Sequence, residues 1–333
     1  MPYARIAGTG MYVPDRVVTN EELGQWMDTS PEWILQRTGI EQRRWVPQPM
    51  GVSDLAIGAA QMAMDQAGWS KSDIDMVLFA TLSADMMFPG SGCVFQEKFG
   101  LETTPALDIR NQCSGFLYGL AVAKGFCESG LYRRVLLIGA ENHSAGLDVT
   151  TDGRNVSVIF GDGAGAACIE ACTDAATPMA IGPVILHADG AGRHNLAVEV
   201  PAALRQPVVS HDQFLQKKYM PHMDGPTVFR HAVTRLEQVA TDILQRAGLQ
   251  ARDIALVIPH QANMRINLMV AARLDIPEDK VYHNIQRYGN TTAASIPIAL
   301  HEARAEGRIQ PGDRVMLLAF GAGFTWGATI LQA

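Results

Sequence analysis

Cysteine is scarce in this sequence, and its spacing argues against two kinds of cross-link. Five cysteines occur in 333 residues, at positions 93, 113, 127, 168 and 172, with no CxxC pair and no Cys/His ligand spacing. Neither a disulfide framework nor a zinc site is indicated, so no bound metal is expected. Free thiols suit a reducing compartment, which favours a cytoplasmic protein.

Long apolar runs and blocks of one charge are also missing. No stretch of about 18 apolar residues occurs, so membrane insertion is not expected. The opening MPYARIAGTGMYVP lacks the basic segment and cleavage site of a signal peptide and looks like a first strand and turn. The formal charge is −7 without a Lys/Arg-rich block, so generic binding to nucleic acid is not expected either.

What the sequence does contain is an alternation of helix and strand signals. Residues 53–68 combine a serine cap, an apolar stripe and a closing glycine, which predicts a helix. Residues 224–248 predict a longer helix with Pro226 in its first turn. The apolar run at 74–81 predicts a strand buried on both faces. This alternation implies helices packed on largely parallel sheets.

The same pattern occurs twice along the chain. Three segments of the first half have counterparts in the second: SDIDMVLFAT and RDIALVIPHQ, RRVLLIGAE and DRVMLLAFG, FGDGAGAACIEA and FGAGFTWGATIL. Two similar halves, residues 1–172 and 173–333, would explain both the length and the repeats. No low-complexity linker separates them, so they are expected to pack as one unit.

Residues 189–224 interrupt this regularity, because they show no sustained periodicity. Connections of this length without secondary structure are uncommon in compact domains and often functional. We interpret the segment as a loop that covers a site, with a surface excursion as the alternative.

Cys113 is the first candidate for chemistry. PALDI at 105–109 predicts a strand and SGFLYGLAVAKGF a buried helix, so Cys113 lies at a strand-to-helix junction. Backbone N–H groups and the helix dipole would stabilise a thiolate there. A free cysteine is also commonly a small buried hydrophobe. The segment alone leaves both interpretations open.

The second half supplies possible partners for that cysteine. His260 follows a predicted buried strand, Asn263 begins the next helix, and Asn290 lies at another strand-to-helix junction. Taken singly, His260 fits a satisfied core histidine and Asn290 a helix cap. Catalytic groups gather at the carboxyl ends of strands in α/β sheets, so Cys113, His260 and Asn290 are expected to converge.

A glycine-rich segment, FGDGAGA at 160–166, invites a dinucleotide-binding interpretation. That fingerprint has to follow a strand and open a helix, whereas the next residues here, ACIEACTD, look like a strand. The glycines more plausibly allow a close approach of the backbone to its neighbours or to a substrate.

Five segments, in this order and spacing, closely resemble β-ketoacyl-[acyl-carrier-protein] synthase III of the thiolase superfamily: CSGF, FGDGAGAA, PHQANMRI, GNTTAASIP and FGAGFTWG. TSPEWILQRTGIEQR at 29–43 and MDGPTVFRHAV at 223–233 extend the likeness over nearly the whole chain. The resemblance implies the thiolase fold, an α/β structure of five layers (αβαβα) built from two similar halves, and usually a homodimer.

The resemblance also implies the reaction. Cys113 would accept an acyl group from an acyl-CoA, and His260 with Asn290 would promote decarboxylation of a malonyl thioester on acyl carrier protein. The backbone N–H groups of Cys113 and Ala322 would form the oxyanion hole. The product would be a 3-oxoacyl thioester. Because loss of CO2 drives carbon–carbon bond formation, no metal or redox cofactor is required, and coenzyme A thioesters are substrates.

Further positions match family residues that contact substrate or carrier. Phe320 would lie near the malonyl carboxylate, and Phe88 would reach the acyl pocket of a dimer partner. The implied coenzyme A contacts are Trp33, Arg37, Arg154 and Asn263. The acyl pocket is expected at Leu82, Phe88, Gly225 and the 189–224 loop. An acidic carrier protein would meet Arg230, Arg265 and Arg273, although solvated surface arginines are the alternative for each.

The chain departs from the housekeeping pattern of the family in two places. Arg110, Asn111 and Gln112 precede the cysteine where small residues are usual, and Ala322 replaces the commoner glycine. The acyl primer, and the choice between malonyl carrier protein and malonyl-CoA, therefore stay open.

Other functions share parts of this residue pattern. A thiolase-fold acyltransferase or quinolone-type synthase would use the same acyl-cysteine with a different acceptor. A non-catalytic thiolase-fold subunit would not require Cys113, His260 and Asn290 together. A cysteine hydrolase is disfavoured, because both candidate asparagines follow the histidine and no acidic motif is evident.

Overall fold

A computed structural model describes residues 3–47, 49–203 and 207–333. The strands in these ranges are β1 Tyr3–Tyr12, β2 Val17–Thr19, β3 Gln42–Arg44, β4 Met76–Ala80, β5 Ala106–Ile109, β6 Arg134–Glu141, β7 Gly163–Cys172, β8 Ala180–Ala188, β9 Leu196–Ala197, β10 His222–Met223, β11 Leu256–Pro259, β12 Arg314–Gly321 and β13 Thr325–Gln332. The α-helices are α1 Asn20–Leu23, α2 Pro31–Thr38, α3 Val52–Ala67, α4 Ser91–Phe99, α5 Gly115–Ser129, α6 Arg154–Ser157, α7 His211–Leu215, α8 Gly225–Ala247, α9 Met264–Arg273, α10 Ile285–Tyr288 and α11 Ser295–Ala305.

Nine strands form one continuous sheet in the order β11-β12-β13-β8-β1-β7-β6-β4-β5. Strand β4 pairs in parallel with β5 and β6, and β11 pairs in parallel with β12. The remaining neighbours are antiparallel. The expectation of largely parallel sheets is therefore wrong. The three residues between β12 and β13 form a short turn, which can connect only antiparallel strands.

Helices α5 and α11 lie between the two parts of this sheet. Phe116 and Leu120 of α5 and Leu300 of α11 share one core with Leu78 of β4 and Leu317 of β12. Successive side chains of a strand point to opposite faces, so each strand also contributes to a second, outer core.

The outer faces of the sheet carry the other long helices. Leu55 of α3 and Phe95 of α4 pack with Phe79, the neighbour of Leu78 on β4. On the opposite side, Leu236 of α8 packs with Met316 of β12. The order helix, sheet, helix, sheet, helix makes the five layers that the resemblance implies. The proposed division of the chain at residue 172 stays a prediction.

Two predicted helices are confirmed, but the predicted cap of the first is wrong: α3 begins at Val52 after Gly51, and Ser53 lies within its first turn. Helix α3 ends before Gly68, which adopts the left-handed conformation at φ 69°. Helix α8 is capped by the Asp224 carboxylate, has Pro226 in its first turn and ends before Gly248 at φ 68°. None of the helices within the described ranges is long and apolar enough to cross a bilayer.

The 189–224 segment is mostly irregular, as its lack of periodicity predicts. It contains the short pair β9–β10 and helix α7, and residues 204–206 lie outside the described part. Leu196 of β9 and Met223 of β10 line a cavity that Cys113 also lines. The ends of this segment therefore border the candidate site.

Candidate active site

Two equivalent turns bring the candidate residues together. In each, a residue with positive φ, Gln112 at 43° and Thr292 at 48°, begins a short 3-10 turn that leads into α5 or α11. Cys113 follows the first strained residue and Ala293 follows the second. Positive φ is a true outlier for a β-branched residue such as Thr292, and such strain concentrates at functional sites.

One cavity of about 790 Å3 joins the three predicted catalytic residues. Cys113, His260 and Asn290 all line it, and each is at most 7% exposed. Phe320 lines the same cavity and packs against Phe324, with ring centres 4.9 Å apart. The expected convergence of a cysteine, a histidine and an asparagine from both halves is thus present in the structure.

The environment of Cys113 contains opposing influences on its ionisation. Burial, and secondarily the Glu141 carboxylate, raise the pKa of the thiol to about 12. The backbone N–H groups of Ala322 and Cys113 and the Thr292 hydroxyl act in the opposite direction. The expectation that the helix terminus stabilises a thiolate therefore describes only part of the balance, because desolvation outweighs the donors and the resting thiol is protonated.

The close approach of Ala322 to the cysteine requires a glycine beside it. A Cβ on Gly321 would lie 2.6 Å from Cβ and 3.1 Å from Sγ of Cys113. Without that Cβ, the end of β12 lies against the cysteine, so that two backbone donors reach the sulfur. These are the donors predicted for the oxyanion hole.

His260 is held in one orientation at the end of β11. Its Nδ1 lies 2.6 Å from Oγ of Ser295, and the same Oγ accepts the Gln261 N–H at 3.4 Å. A Ser295 hydroxyl that donates to Nδ1 places the imidazole proton on Nε2. Burial lowers the pKa of His260 to about 3, so the ring is neutral, and among the described residues Nε2 has no hydrogen-bond partner.

Asn290 is oriented by a contact with the strained turn. Its Oδ1 accepts the backbone N–H of Thr292 at 2.8 Å. Its backbone N–H donates to the Ile159 carbonyl, and its own carbonyl accepts the Gly161 N–H. Because the side-chain oxygen is engaged, the amide nitrogen remains as a donor toward the cavity.

Trp33 and two arginines form a stack at the edge of the cavity. The guanidinium groups of Arg37 and Arg154 lie 4.3 and 5.1 Å from the Trp33 ring centre. Trp33 and Arg37 line the cavity, whereas Arg154 is tied to Asp28. An aromatic face with flanking cations suits an adenine ring and phosphates.

Asn263 lines the cavity too, but both ends of its amide are engaged within the protein. Its Oδ1 caps α9 through the Arg265 N–H, and its Nδ2 donates to the Arg37 carbonyl at 2.9 Å. It therefore joins α9 to α2, and its predicted contact with coenzyme A stays a prediction.

The three positions predicted for the acyl pocket are separated in the single chain. Gly225, at the start of α8, lines the cavity. Leu82 is half-buried and donates its N–H to the Glu141 carboxylate, while Phe88 is 84% exposed, and neither lines the cavity. These two assignments stay predictions.

The predicted carrier patch is only partly continuous. Arg230 and Arg265 are exposed and line the cavity, so they mark its opening, and Arg265 lies over the Phe229 ring. Arg273 is instead paired with Glu237 at 2.8 Å. Positive charge at the opening is therefore carried by two of the three arginines, with the Asp224 carboxylate close to Arg230.

Sequence reasoning missed four residues that complete the site. Thr292 and Ser295 lie inside the GNTTAASIP segment, yet no pattern distinguishes them from ordinary capping residues. Glu141 is the last residue of β6 and His143 lies two residues beyond it, at the same edge of the sheet as Cys113. Polar residues directly after a buried strand were the available signal.

Known proteins with this fold and sequence pattern give the family. Models for 3-oxoacyl-[acyl-carrier-protein] synthase III match residues 107–191, and models for its C-terminal part match residues 244–333. The chain is 42% identical over 329 residues to β-ketoacyl-[acyl-carrier-protein] synthase III of Caldanaerobacter subterraneus, covering 99% of this chain and 97% of the relative. With the enzyme of that name from Laribacter hongkongensis, identity is 41% and coverage is 100% of both chains.

Solved structures agree with this assignment. The β-ketoacyl-[acyl-carrier-protein] synthase III of Thermus thermophilus superposes with a TM-score of 0.90 at 38% identity, covering 99% of both chains. Full-length relatives at this identity share both fold and family, so the five layers are those of the thiolase fold. This chain belongs to the β-ketoacyl-[acyl-carrier-protein] synthase III family.

Proposed function

We propose that this protein catalyses the decarboxylative Claisen condensation of an acyl-CoA with malonyl-[acyl carrier protein]. The products are a 3-oxoacyl carrier protein, coenzyme A and CO2. The observation that carries this proposal is the placement of Cys113, His260 and Asn290 around one cavity, with the free polar atoms of the last two available as donors.

Acyl transfer to Cys113 is the first half of the reaction. The sulfur attacks the thioester carbonyl, and the oxyanion that forms is positioned to accept the N–H groups of Cys113 and Ala322. The tetrahedral intermediate collapses with release of coenzyme A, whose thiolate takes the proton that the Cys113 thiol loses. The acyl group is then held as a thioester, which is reactive enough for the second step.

Loss of CO2 from the malonyl thioester is the second half. The electron pair of the broken C–C bond moves into an enolate, whose oxygen accepts hydrogen bonds from Nε2–H of His260 and the amide of Asn290. Each such donor is typically worth about 3–4 kcal/mol of barrier. The carbanion attacks the acyl-cysteine carbonyl, the C–S bond breaks, and the Cys113 thiolate takes up a proton from the solvent.

His260 and Asn290 suit this step because they donate without exchanging a proton. The pKa of His260 is near 3, so the ring is neutral at working pH. A neutral donor stabilises the enolate yet does not protonate its carbon before condensation. The apolar ring of Phe320 lies in the same cavity, where a poorly solvated carboxylate loses CO2 more readily.

Two kinds of macromolecular contact belong to this proposal. The exposed Arg230 and Arg265 at the cavity opening suit an acidic carrier protein. A homodimer would cover the exposed run Met86, Met87 and Phe88, whose side chains are 48–84% exposed in the single chain. Phe88 would then contribute to the partner's acyl pocket. A cytoplasmic location is part of the same proposal.

Intact-mass measurement after exposure to a panel of acyl-CoAs tests the first half. We expect an adduct on Cys113, absent in Cys113→Ser, and the chain that loads fastest identifies the primer. If no acyl-CoA gave an adduct on Cys113, the proposal that this protein transfers acyl groups through Cys113 would be wrong.

Addition of malonyl-[acyl carrier protein] to the loaded enzyme tests the second half. CO2 and a 3-oxoacyl carrier protein are expected. Transfer of the acyl group to another acceptor without CO2 would identify an acyltransferase instead. Malonyl-CoA in place of the carrier form shows which extender is used.

A further inference from the structure

His143 is a buried histidine beside the catalytic cysteine that the proposed reaction does not use. It lies two residues beyond the end of β6 and is 8% exposed. Its ring packs against Phe160, with centres 4.5 Å apart. Its backbone N–H acts on the Asp162 carboxylate, whose pKa it lowers. The Phe160 ring thus packs against the imidazole, and Asp162 lies beside the backbone of His143.

Thr292 connects this histidine to Cys113. Nε2 of His143 lies 2.7 Å from Oγ1 of Thr292, and both groups are buried. The Thr292 hydroxyl in turn lies beside the sulfur of Cys113, where it lowers the pKa of the thiol. No hydrogen bond among the described residues joins His260 to Cys113, so the two histidines serve different parts of the site.

The strained backbone of Thr292 gives this contact its geometry. Thr292 has φ 48°, and its N–H is held by Asn290. A threonine pays for this conformation, whereas glycine or asparagine would adopt it more readily. The same residue therefore orients Asn290 through its backbone and contacts Cys113 through its side chain.

The direction of these hydrogen bonds decides their effect. Burial, with His260 nearby, lowers the pKa of His143 to about 3, so the ring is neutral and has one N–H. If that proton is on Nε2, it occupies the Thr292 oxygen and leaves the hydroxyl proton for the sulfur. If Nε2 accepts instead, the hydroxyl proton points away from Cys113.

We propose that His143 is a positioning residue whose Nε2–H donates to Thr292 and thereby directs the Thr292 hydroxyl proton to the Cys113 sulfur. The purpose of this arrangement rests on the proposed acyl loading of Cys113. A hydroxyl aimed at the sulfur stabilises negative charge as the thiol ionises and partly offsets the cost of burial. No proton passes to His143, which stays neutral throughout.

Three titratable groups lie around the connection from His143 through Thr292 to Cys113. His260 acts on His143, Glu141 acts on Cys113, and the Asp162 carboxylate accepts the His143 backbone N–H. Burial raises the pKa of Glu141 to about 7. Its ionisation is common to all variants below, so it cancels when their pH profiles are compared.

Alkylation of Cys113 by iodoacetamide tests the proposal without any acyl-CoA. The thiolate forms an S–C bond and releases iodide, so the rate follows the thiolate fraction. The rate is measured from pH 6 to 10 by mass spectrometry of the peptide that contains Cys113. The Cys113→Ser variant gives the background from other cysteines.

Two variants break the connection from His143 through Thr292 to Cys113, and two restore it. Thr292→Val keeps the β-branched shape without the hydroxyl, and His143→Leu removes the ring N–H. Both should slow alkylation at pH 8 about tenfold and move the pH profile up by about one unit. Thr292→Ser and His143→Gln, which retain a donor, should recover most of the rate.

The proposal would be overturned if Thr292→Val and His143→Leu kept the wild-type pH profile of alkylation, or if their profiles moved to lower pH. So would a His143→Gln variant as slow as His143→Leu, since that indicates a packing role alone. If His143→Leu does not fold, the comparison of Thr292→Val with Thr292→Ser decides. If the variants shift alkylation as expected but Cys113 accepts no acyl group from any acyl-CoA, the proposed function is wrong and this inference stands.

Discussion

His260 and Asn290 each have one polar atom engaged by the protein and one left for the cavity. Ser295 engages Nδ1 of His260, and the Thr292 N–H engages Oδ1 of Asn290. A histidine without Ser295 could adopt either tautomer, and an unrestrained asparagine could turn its oxygen to the substrate. At the scale of single residues, these partners convert two amphoteric side chains into donors.

Replacing Ser295 tests this role. We expect Ser295→Ala to slow CO2 release at least tenfold, about 1.4 kcal/mol of barrier, because the Nε2–H tautomer loses its support. Acyl loading of Cys113 should change less than twofold, because Ser295 contacts His260 and not the cysteine. CO2 release and intact-mass loading measure the two steps separately.

Ser129→Ala is the matched control for that substitution. Ser129 is exposed at the end of α5, and its hydroxyl donates to the Phe126 carbonyl and accepts the Leu131 N–H, both remote from the cavity. It should leave both steps unchanged. Equal losses of loading and decarboxylation in Ser295→Ala would indicate a general disturbance of the site instead.

At the scale of elements, the starts of α8 and α9 place positive charge at the cavity opening. Arg230 and Arg265 project there, while Arg273 further along α9 is neutralised by Glu237. A carrier protein docked at this opening would meet the first two.

Charge reversal of Arg265 should therefore affect the carrier-bound substrate selectively. We expect Arg265→Glu to lower kcat/KM for malonyl-[acyl carrier protein] about threefold to tenfold at low salt, and less at high salt. Loading from acyl-CoA should change less. Arg133→Glu makes the same charge change at an exposed position before β6, at the opposite edge of the sheet, and should have no effect. Equal loss with both substrates would refute the docking assignment.

The packing of α3 on β1 depends on glycines in the strand. A Cβ on Gly10 would lie 2.2 Å from the Ala59 carbonyl oxygen and 2.5 Å from the Ala63 nitrogen. These are backbone atoms of α3, so they cannot move aside without shifting the helix. Helix and strand can approach so closely only because both present small residues.

Gly10→Ala should accordingly lower the free energy of unfolding by about 3 kcal/mol. Gly125→Ala is the matched control, because Gly125 lies on the exposed face of α5 with nothing within 4 Å of its Cβ position. That substitution should raise stability by about 0.5–1 kcal/mol. Urea unfolding of both variants measures the difference, and similar effects in the two would contradict this account.

At the scale of the whole molecule, buried histidines make stability depend on pH. Burial lowers the pKa values of His143 and His260 to about 3 and that of His283 to about 4. Below pH 6.5 the unfolded chain binds protons that the folded protein does not. Their contribution to stability is therefore complete above pH 6.5 and is lost as the pH falls toward 4. Glu141, with its raised pKa, has the opposite sign between pH 4.5 and 7.

His283 allows this contribution to be isolated. Neither of its ring nitrogens has a hydrogen-bond partner within the described ranges. We expect His283→Phe to reduce the fall of the unfolding free energy between pH 6.5 and 4.5 by about 1 kcal/mol per pH unit. Urea unfolding at several pH values measures it. His211→Phe, at an exposed position, serves as the control, and an unchanged slope in His283→Phe would disprove the assignment.

Local features of the sequence predicted much of this architecture. Terminal glycines and amphipathic patterns predicted α3 and α8, and an apolar run predicted β4, because these signals act within a few neighbouring residues. Strand direction was predicted wrongly, since pairing depends on chain segments that are distant in sequence. The short turn between β12 and β13 makes that pair antiparallel, although both strands are as apolar as buried parallel ones.

By itself, the sequence determined the family, the five-layered fold and the identity of the reactive groups Cys113, His260 and Asn290. Only the tertiary structure decided how those groups are prepared. It buries the thiol and raises its pKa, it assigns the free atoms of His260 and Asn290 through Ser295 and Thr292, and it brings His143 within hydrogen-bond distance of Thr292. Ionisation and hydrogen-bond direction depend on burial and on partners distant in sequence, such as His143 and Thr292, which are 149 residues apart. No local pattern of residues encodes such contacts.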